Sequence, residues 1–406
     1  MAPDMKKSKH ILIVGSSGFV LNQVSKNISQ CLDIAGANTG NFIFQHAVRK
    51  ILGDGVRITN IGLGEDLKYL DIQRHFDDID YVVIPAANHL RASADWTGFN
   101  SFLAKISKPM LVFGLGAQAA STDDVDETVG SLQKCPTVVD MCRIFREKAI
   151  FVGVRGQFSK AVCEKMGLRN VKATGCPSIL LSPNARLGEH LEQSISLLKN
   201  SSKHPRMCMV AEAPYSIRSN PNKLSTEQKL FDLVYQEGGS YIQQSGGPET
   251  IAFSLGQLDL LAETTSKWLS GIISPRRSVD EVSSYMKAKG RVFYSALDWI
   301  EYCKAFDLSI GHRFHGNMAT IGADRLGVVI SHDSRTSELV DFMHIPTVKP
   351  EVFKEEQLTT ELIVNAVRFD HEQFDRSRAQ IANTWLEVFG SLDVELSSHV
   401  SGIANQ

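Results

Sequence analysis

The chain has 406 residues, 43% of them apolar, and 43 Lys and Arg nearly balance 45 Asp and Glu. A single hydrophobic core rarely grows past about 250 residues, so at least two domains are expected. Near-neutral charge excludes a general nucleic-acid binder, and the longest apolar runs, such as Ile11-Leu12-Ile13-Val14, fall far below the roughly 20 residues of a membrane span.

Residues 1–9 carry Lys6, Lys7 and Lys9, but no small-residue cleavage site follows the short apolar stretch behind them, so they read as a disordered tail rather than a signal peptide. Short β-branched runs then alternate with helical patterns. Strands are expected near 10–15, 56–61, 80–84, 110–114, 150–154 and 170–174, with helices near 41–52, 92–106, 137–148 and 157–166. The rhythm restarts with strands near 206–211, 240–244, 291–294, 307–310 and 327–330, and helices near 225–237, 248–258, 296–304, 316–323 and 335–342. This is the pattern of right-handed βαβ crossovers, and it predicts two α/β domains with mostly parallel sheets.

The seam is placed between 182 and 205, where Ser182-Pro183-Asn184 and Ser201-Ser202-Lys203-His204-Pro205 collect helix and strand breakers. The domains are therefore expected at 10–190 and 191–350. Residues 351–406 carry amphipathic patterns at 355–367 and 372–390 that can pack back on the N-terminal domain, while 212–223 and 271–290 read as polar insertions. Seven cysteines without a C-x-x-C pair suggest neither a disulfide framework nor a zinc site, and fit a reducing cytoplasm.

With two such domains, ligands are expected in the crevice outside the carboxyl ends of the strands. The first candidate turn is 36–41, where Asn38, Thr39 and Gly40 precede a helix; accessible amides and the helix field suit an anion, against the plain reading of a loop and N-cap. Gly114 and Gly116 form a second turn, which lets a substrate approach the main chain but lacks the third glycine of a dinucleotide fingerprint, so no nicotinamide cofactor is expected. Arg155 ends an apolar strand, its fork available to a carboxylate or phosphate unless a neighbouring acid takes it. Cys176, in the turn 174–178, reads as packing rather than as a nucleophile.

The densest segment is 306–346. His312, Arg313 and His315 crowd a strand end and helix start, an arrangement that suits a polyanionic ligand and supplies groups titrating near neutrality. His332 and Arg335 follow the next strand and share the site if the two strands are neighbours. No metal is expected, because the histidine spacing lacks a completing carboxylate set and Arg313 repels a cation. A G-x-S-x-G elbow is absent, and Trp96, Trp268, Trp299 and Trp385 are assigned to packing.

The segment from Asp307 through Pro346, with its Ile310-Gly311-His312-Arg313-Phe314-His315-Gly316 core and later Asp333-Ser334-Arg335-Thr336-Ser337-Glu338-Leu339, resembles the polysaccharide pyruvyl transferase family. The turns at 36–40 and 114–116, the Val154-Arg155-x-x-x-Ser159 strand end and Gly175-Cys176-Pro177-Ser178 fall in the family's order. The resemblance implies a GT-B-like fold of two facing Rossmann-like domains, the N-terminal one on the acceptor side and the C-terminal one on the donor side. It also implies transfer of a pyruvyl group from phosphoenolpyruvate to a sugar or lipid-linked glycan acceptor as a ketal, with phosphate released and no cofactor. Arg155, Arg313 and His315 match the family's functional positions. Asn41 stands where many relatives carry an acidic residue, and Cys176 where Asp is frequent.

On this reading Arg155 and Arg313 hold the donor's two anionic groups, with Arg335 as a weaker third. His315 is the general acid or protonates the departing phosphate, and His312 or His332 is the base. A GT-B glycosyltransferase using a nucleotide sugar and a non-catalytic carbohydrate-binding member of the fold are the alternatives. A homo-oligomer is compatible with the sequence.

Overall fold

The apolar runs become the strands of two parallel sheets in the computed structural model, which describes residues 8–62, 77–119, 124–201, 203–331 and 334–406, the backbone alone at 334 and 335. The first sheet holds β1 (His10–Val14), β2 (Arg57–Ile61), β3 (Tyr81–Pro85), β4 (Met110–Leu115), β5 (Ala149–Val154) and β6 (Val171–Ala173), in the order β2-β1-β3-β4-β5-β6. The second holds β7 (Met207–Ala211), β8 (Ser240–Gln243), β9 (Gly290–Arg291), β10 (Leu308–Gly311), β11 (Leu326–Ile330) and β12 (Thr347–Val348), in the order β12-β11-β10-β7-β8-β9. Strand order reverses between β1 and β3 in one sheet and between β7 and β10 in the other. Such reversals open crevices at the carboxyl ends of the strands.

Central strands such as β1, β4, β7 and β11 are buried along their whole length because helices cover both faces. The two-residue alternation sorts their side chains into separate cores. Leu12 and Val14 face an outer core with Phe102, Met141 and Val162, whereas Ile11 and Ile13 face a core shared by both sheets, with Phe42, Val48, Val210, Trp299 and Met318. A third core, around Met207, Phe231 and Ile310, covers the far face of the second sheet. The lobes are thus joined by apolar packing.

The His371–Gly390 helix returns to the first sheet. Trp385 stacks on Phe113 with ring centroids 3.6 Å apart, and fully buried Arg378 donates to the carbonyls of Ile179, Ser182 and Asn184.

Several sequence expectations are corrected. The breaker-rich stretch 182–205 contains the Leu187–Lys199 helix, and the two supposed insertions are largely helical. Asn220 caps the Pro221–Gln236 helix, and a Ser278/Glu281 capping box starts Val279–Lys289, whose Val282, Tyr285 and Met286 are buried. Polar composition there marks amphipathic surface helices. β9 is shorter than expected, and β12, two residues long, carries no pattern that a sequence reading detects. The proposed tail lies, but for residues 8 and 9, outside the described residues. All seven cysteines are free, and no described helix is long and apolar enough to cross a membrane.

Candidate active site

A cleft of about 570 Å³ lies where the two switch points face each other, and its walls include Asn38, Asn88, His89, Arg155, Arg313 and His315. Three cationic or titratable groups named from the sequence, Arg155, Arg313 and His315, therefore meet in one cavity, carried there by different sheets.

The second-lobe wall is set by the turn after β10. A Cβ on Gly311 would collide with the Val210 carbonyl, and one on Gly316 with the Val210 side chain, so both glycines let the turn and the Phe314–Gly322 helix press onto β7. Asn317 Nδ2 donates to the Gly311 and Arg313 carbonyls, each at 3.1 Å, and Ser309 Oγ donates to Asn317 Oδ1 at 2.9 Å. This lock holds Arg313 and His315 at the strand end.

Behind the wall stands a buried charge network that sequence reading missed. Arg313 pairs with Glu212, which also takes a 2.7 Å bond from Lys223 Nζ and one from the Ala213 amide at 2.9 Å. Burial opposes ionisation of Glu212, but Arg313 and Lys223 outweigh it and hold the carboxyl down at about 2. Arg313 thus has an anchor that is ionised at neutral pH.

His312 belongs to this network rather than to the cleft. It is buried with Nδ1 2.5 Å from Glu227 Oε1, while Glu227 Oε2 accepts from the Glu212 amide at 3.0 Å. Its expected role as substrate ligand or base is corrected accordingly. His315 does line the cleft; its ring lies 5.1 Å from that of Phe44, and Nε2 is 3.6 Å from Cys176 Sγ. Ser178 Oγ donates to that sulfur at 3.0 Å, and burial pushes the Cys176 thiol up, so Cys176 is a neutral neighbour of the imidazole.

Arg155 forms the opposite wall. It is only 5% exposed and donates through Nη1 to Asn88 Oδ1 at 2.7 Å, with Asn88 Nδ2 bonded to Gln118 Oε1 at 2.6 Å. Gly116 lies beneath it: a Cβ there would come within 2.5 Å of Arg155 Cδ. Gly114, at φ +70°, packs under Pro177 and the Ala86 and Gly175 carbonyls. Neither glycine lines the cleft, so both are corrected from substrate-facing to supporting positions. Gly116→Ala is expected to cost about 1–3 kcal/mol of thermal stability, because the buried arginine must shift to make room. The displaced guanidinium should weaken anionic-ligand binding about tenfold, measured by calorimetry.

The turn at 36–40 reaches the cleft through Gly36, Ala37 and Asn38, whereas Thr39 and Gly40 are corrected to supporting positions. Thr39 N donates to the Gln244 carbonyl at 2.8 Å, Gly40 N to Asn38 Oδ1 at 3.0 Å, and Gln244 Nε2 to the same oxygen at 2.9 Å. The Thr39 amide is thus committed to the second lobe and the Gly40 amide to its own turn, and of Asn38, Thr39 and Gly40 only Asn38 lines the cleft. His332 lies outside the described residues, as does the side chain of Arg335. Nothing from 212–223 or 271–290 lines the cleft.

His89 and Trp96 do line it, stacked on each other 4.5 Å apart at 9°. Burial, with Arg155 and Arg91 adding, pushes His89 down to about 4, and the Ala87 amide donates to the ring. That 2.9 Å bond ends on Nδ1, so the neutral ring carries its proton on Nε2. His89 offers a donor at neutral pH, a role that its lone position in the sequence did not reveal.

Two parallel α/β lobes presenting guanidinium groups from both sides to one crevice define a two-lobed, GT-B-like protein with a cationic interlobe site. The chain belongs to the polysaccharide pyruvyl transferase family, whose model matches residues 38–334. Similar solved structures include the UDP-GlcNAc 2-epimerase of Methanocaldococcus jannaschii in complex with UDP-GlcNAc and UDP, at 10% identity over 88% of this chain and 91% of that one, with a TM-score of 0.41. The S. aureus MnaA–UDP co-structure matches at 10% identity over 94% of this chain and 97% of that one, also with a TM-score of 0.41. No curated protein matches the chain by sequence.

Proposed function

We propose that this family member transfers a pyruvyl group from phosphoenolpyruvate to a hydroxyl pair on a sugar or glycan, forming a ketal and releasing phosphate, in the cytoplasm. The observation that carries the reading is the convergence of Arg155, Arg313 and His315 on one cleft from facing lobes. Phosphoenolpyruvate bears a carboxylate and a phosphate, and two guanidinium groups on opposite walls are suited to one each. His315 delivers a proton to the methylene carbon as the first sugar hydroxyl adds at C2. The first hydroxyl's proton passes back to His315, phosphate leaves, and the second hydroxyl closes the ketal and gives its proton to the departing phosphate. The arginines neutralise the phosphate, so the scheme needs no cofactor.

In this reading the lobe of residues 10–190, with Asn88, His89 and Trp96, receives the acceptor, and that of 191–350 anchors the donor. The decisive measurement is a thermal shift paired with a phosphate-release assay. Phosphoenolpyruvate at a hundredfold its Kd should stabilise the protein by about 2.7 kcal/mol, with UDP- and GDP-sugars inert, and phosphate should appear only when an accepted glycan is added. Stabilisation by a nucleotide sugar alone would replace this reading with glycosyl transfer.

A further inference from the structure

One buried contact joins the lobes beside Arg155 and is used by none of the chemistry above. Ser159 lies in the first turn of the Gln157–Lys165 helix and is fully buried. Its amide donates to Glu338 Oε1 at 2.7 Å and its hydroxyl to Glu338 Oε2 at 2.8 Å. The same hydroxyl accepts from the Ala117 amide at 3.1 Å. Glu338 comes from the other lobe, on the Ser334–Met343 helix between β11 and β12, and its neighbours Thr336 and Leu339 line the cleft. Gly156, adjacent to Arg155, makes room for it: a Cβ there would come within 2.6 Å of Glu338 Cγ.

Arg155 therefore sits between two short segments, Gly116-Ala117 beneath it and Gly156 to Ser159 beyond it, both fastened to Ser159 and through Ser159 to a carboxylate of the opposite lobe. A buried carboxylate is an expensive way to join two helices, because desolvation offsets much of its attraction and apolar packing joins them as well. What a carboxylate adds is direction: two charge-assisted bonds fix one register. Burial pushes the Glu338 carboxyl up, while the Ser159 donors and Arg155 pull it the other way.

We infer that Glu338 is a cross-lobe positioning residue: through Ser159 it sets the turn that carries Arg155 against the wall formed by Thr336 and Leu339, and so fixes the reach of that guanidinium toward the donor. The activity part of this inference rests on the proposed function; the placement of Arg155 does not.

The test compares the full-length wild type with Glu338→Ala, Glu338→Gln and Ser159→Ala. Without substrate, the rate at which phenylglyoxal modifies Arg155 is followed by peptide mass spectrometry. Glu338→Ala should raise it several-fold, because the buried guanidinium loses its frame. Glu338→Gln should stay close to wild type, since its amide oxygen still accepts from the Ser159 amide. In turnover with phosphoenolpyruvate, Glu338→Ala should raise the donor KM about tenfold with the acceptor KM unchanged, a split that general loosening of the fold would not give. Unchanged Arg155 reactivity in both alanine variants, or donor and acceptor KM rising together, overturns the inference. Should Glu338→Ala fail to fold, Ser159→Ala, expected to raise Arg155 reactivity, decides in its place. If wild type proves inert toward phosphoenolpyruvate, the proposed function falls while the reactivity comparison still decides the placement.

Discussion

His315→Ala is expected to slow phosphate release from phosphoenolpyruvate by about 10²- to 10⁴-fold while donor affinity stays within about twofold. The argument is one of position. His315 lines the cleft on the same turn as Arg313, opposite Arg155, so a donor held by both guanidinium groups would lie beside the imidazole. Proton delivery to carbon is the step that no hydrogen-bond donor elsewhere in the scheme supplies, and a positioned acid accelerates it only in the transition state. Removal of His315 should therefore lower turnover and leave binding alone. Cys176, at 3.6 Å from Nε2, holds the ring without taking over its chemistry, because burial keeps the thiol protonated. Single-turnover phosphate release and calorimetric titration with phosphoenolpyruvate separate the two quantities. Near-normal turnover in the variant would transfer the acid role elsewhere, and His89, the other imidazole on the cleft wall among the described residues, is then the group to replace.

The parts of this molecule legible in the sequence are those set by local pattern. Fully buried parallel strands announce themselves as apolar runs, and His312-Arg313-Phe314-His315 stands out because an arginine and two imidazoles crowd a strand end between two glycines. Partnership is another matter. Nothing local distinguishes His312 from His315, yet one is buried against Glu227, eighty-five positions away, and the other faces the cleft. The amides of the 36–40 turn look available until Gln244, two hundred positions on, claims one of them. Glu212 and Lys223 give no local signal because their segment looks like a polar insertion; its polarity is that of a capped amphipathic helix with a buried ion network at its head. Long-range pairing of charges is a tertiary event, and a single sequence carries no trace of it.

That network leads to the second large expectation: Glu212→Ala should destabilise the fold by about 3–5 kcal/mol at neutral pH, because it removes a buried carboxylate paired with two mostly buried cations, Arg313 and Lys223. The pH dependence identifies the cause. The carboxyl of Glu212 is held at about 2 in the fold, against 4.5 ordinarily, so its pairing contributes stability that is fully present above the ordinary value. That contribution, on the order of 3 kcal/mol, is lost as pH falls from about 4.5 toward 2. Urea unfolding of wild type and variant should therefore show a wide gap at pH 7 that narrows by pH 3, with wild type losing stability faster. A cavity left by the missing side chain would give a gap that does not respond to pH. An equal gap at both values would assign the loss to packing and deprive Arg313 of its charged anchor, whereas a narrowing gap ties the placement of the donor-facing guanidinium to Glu212.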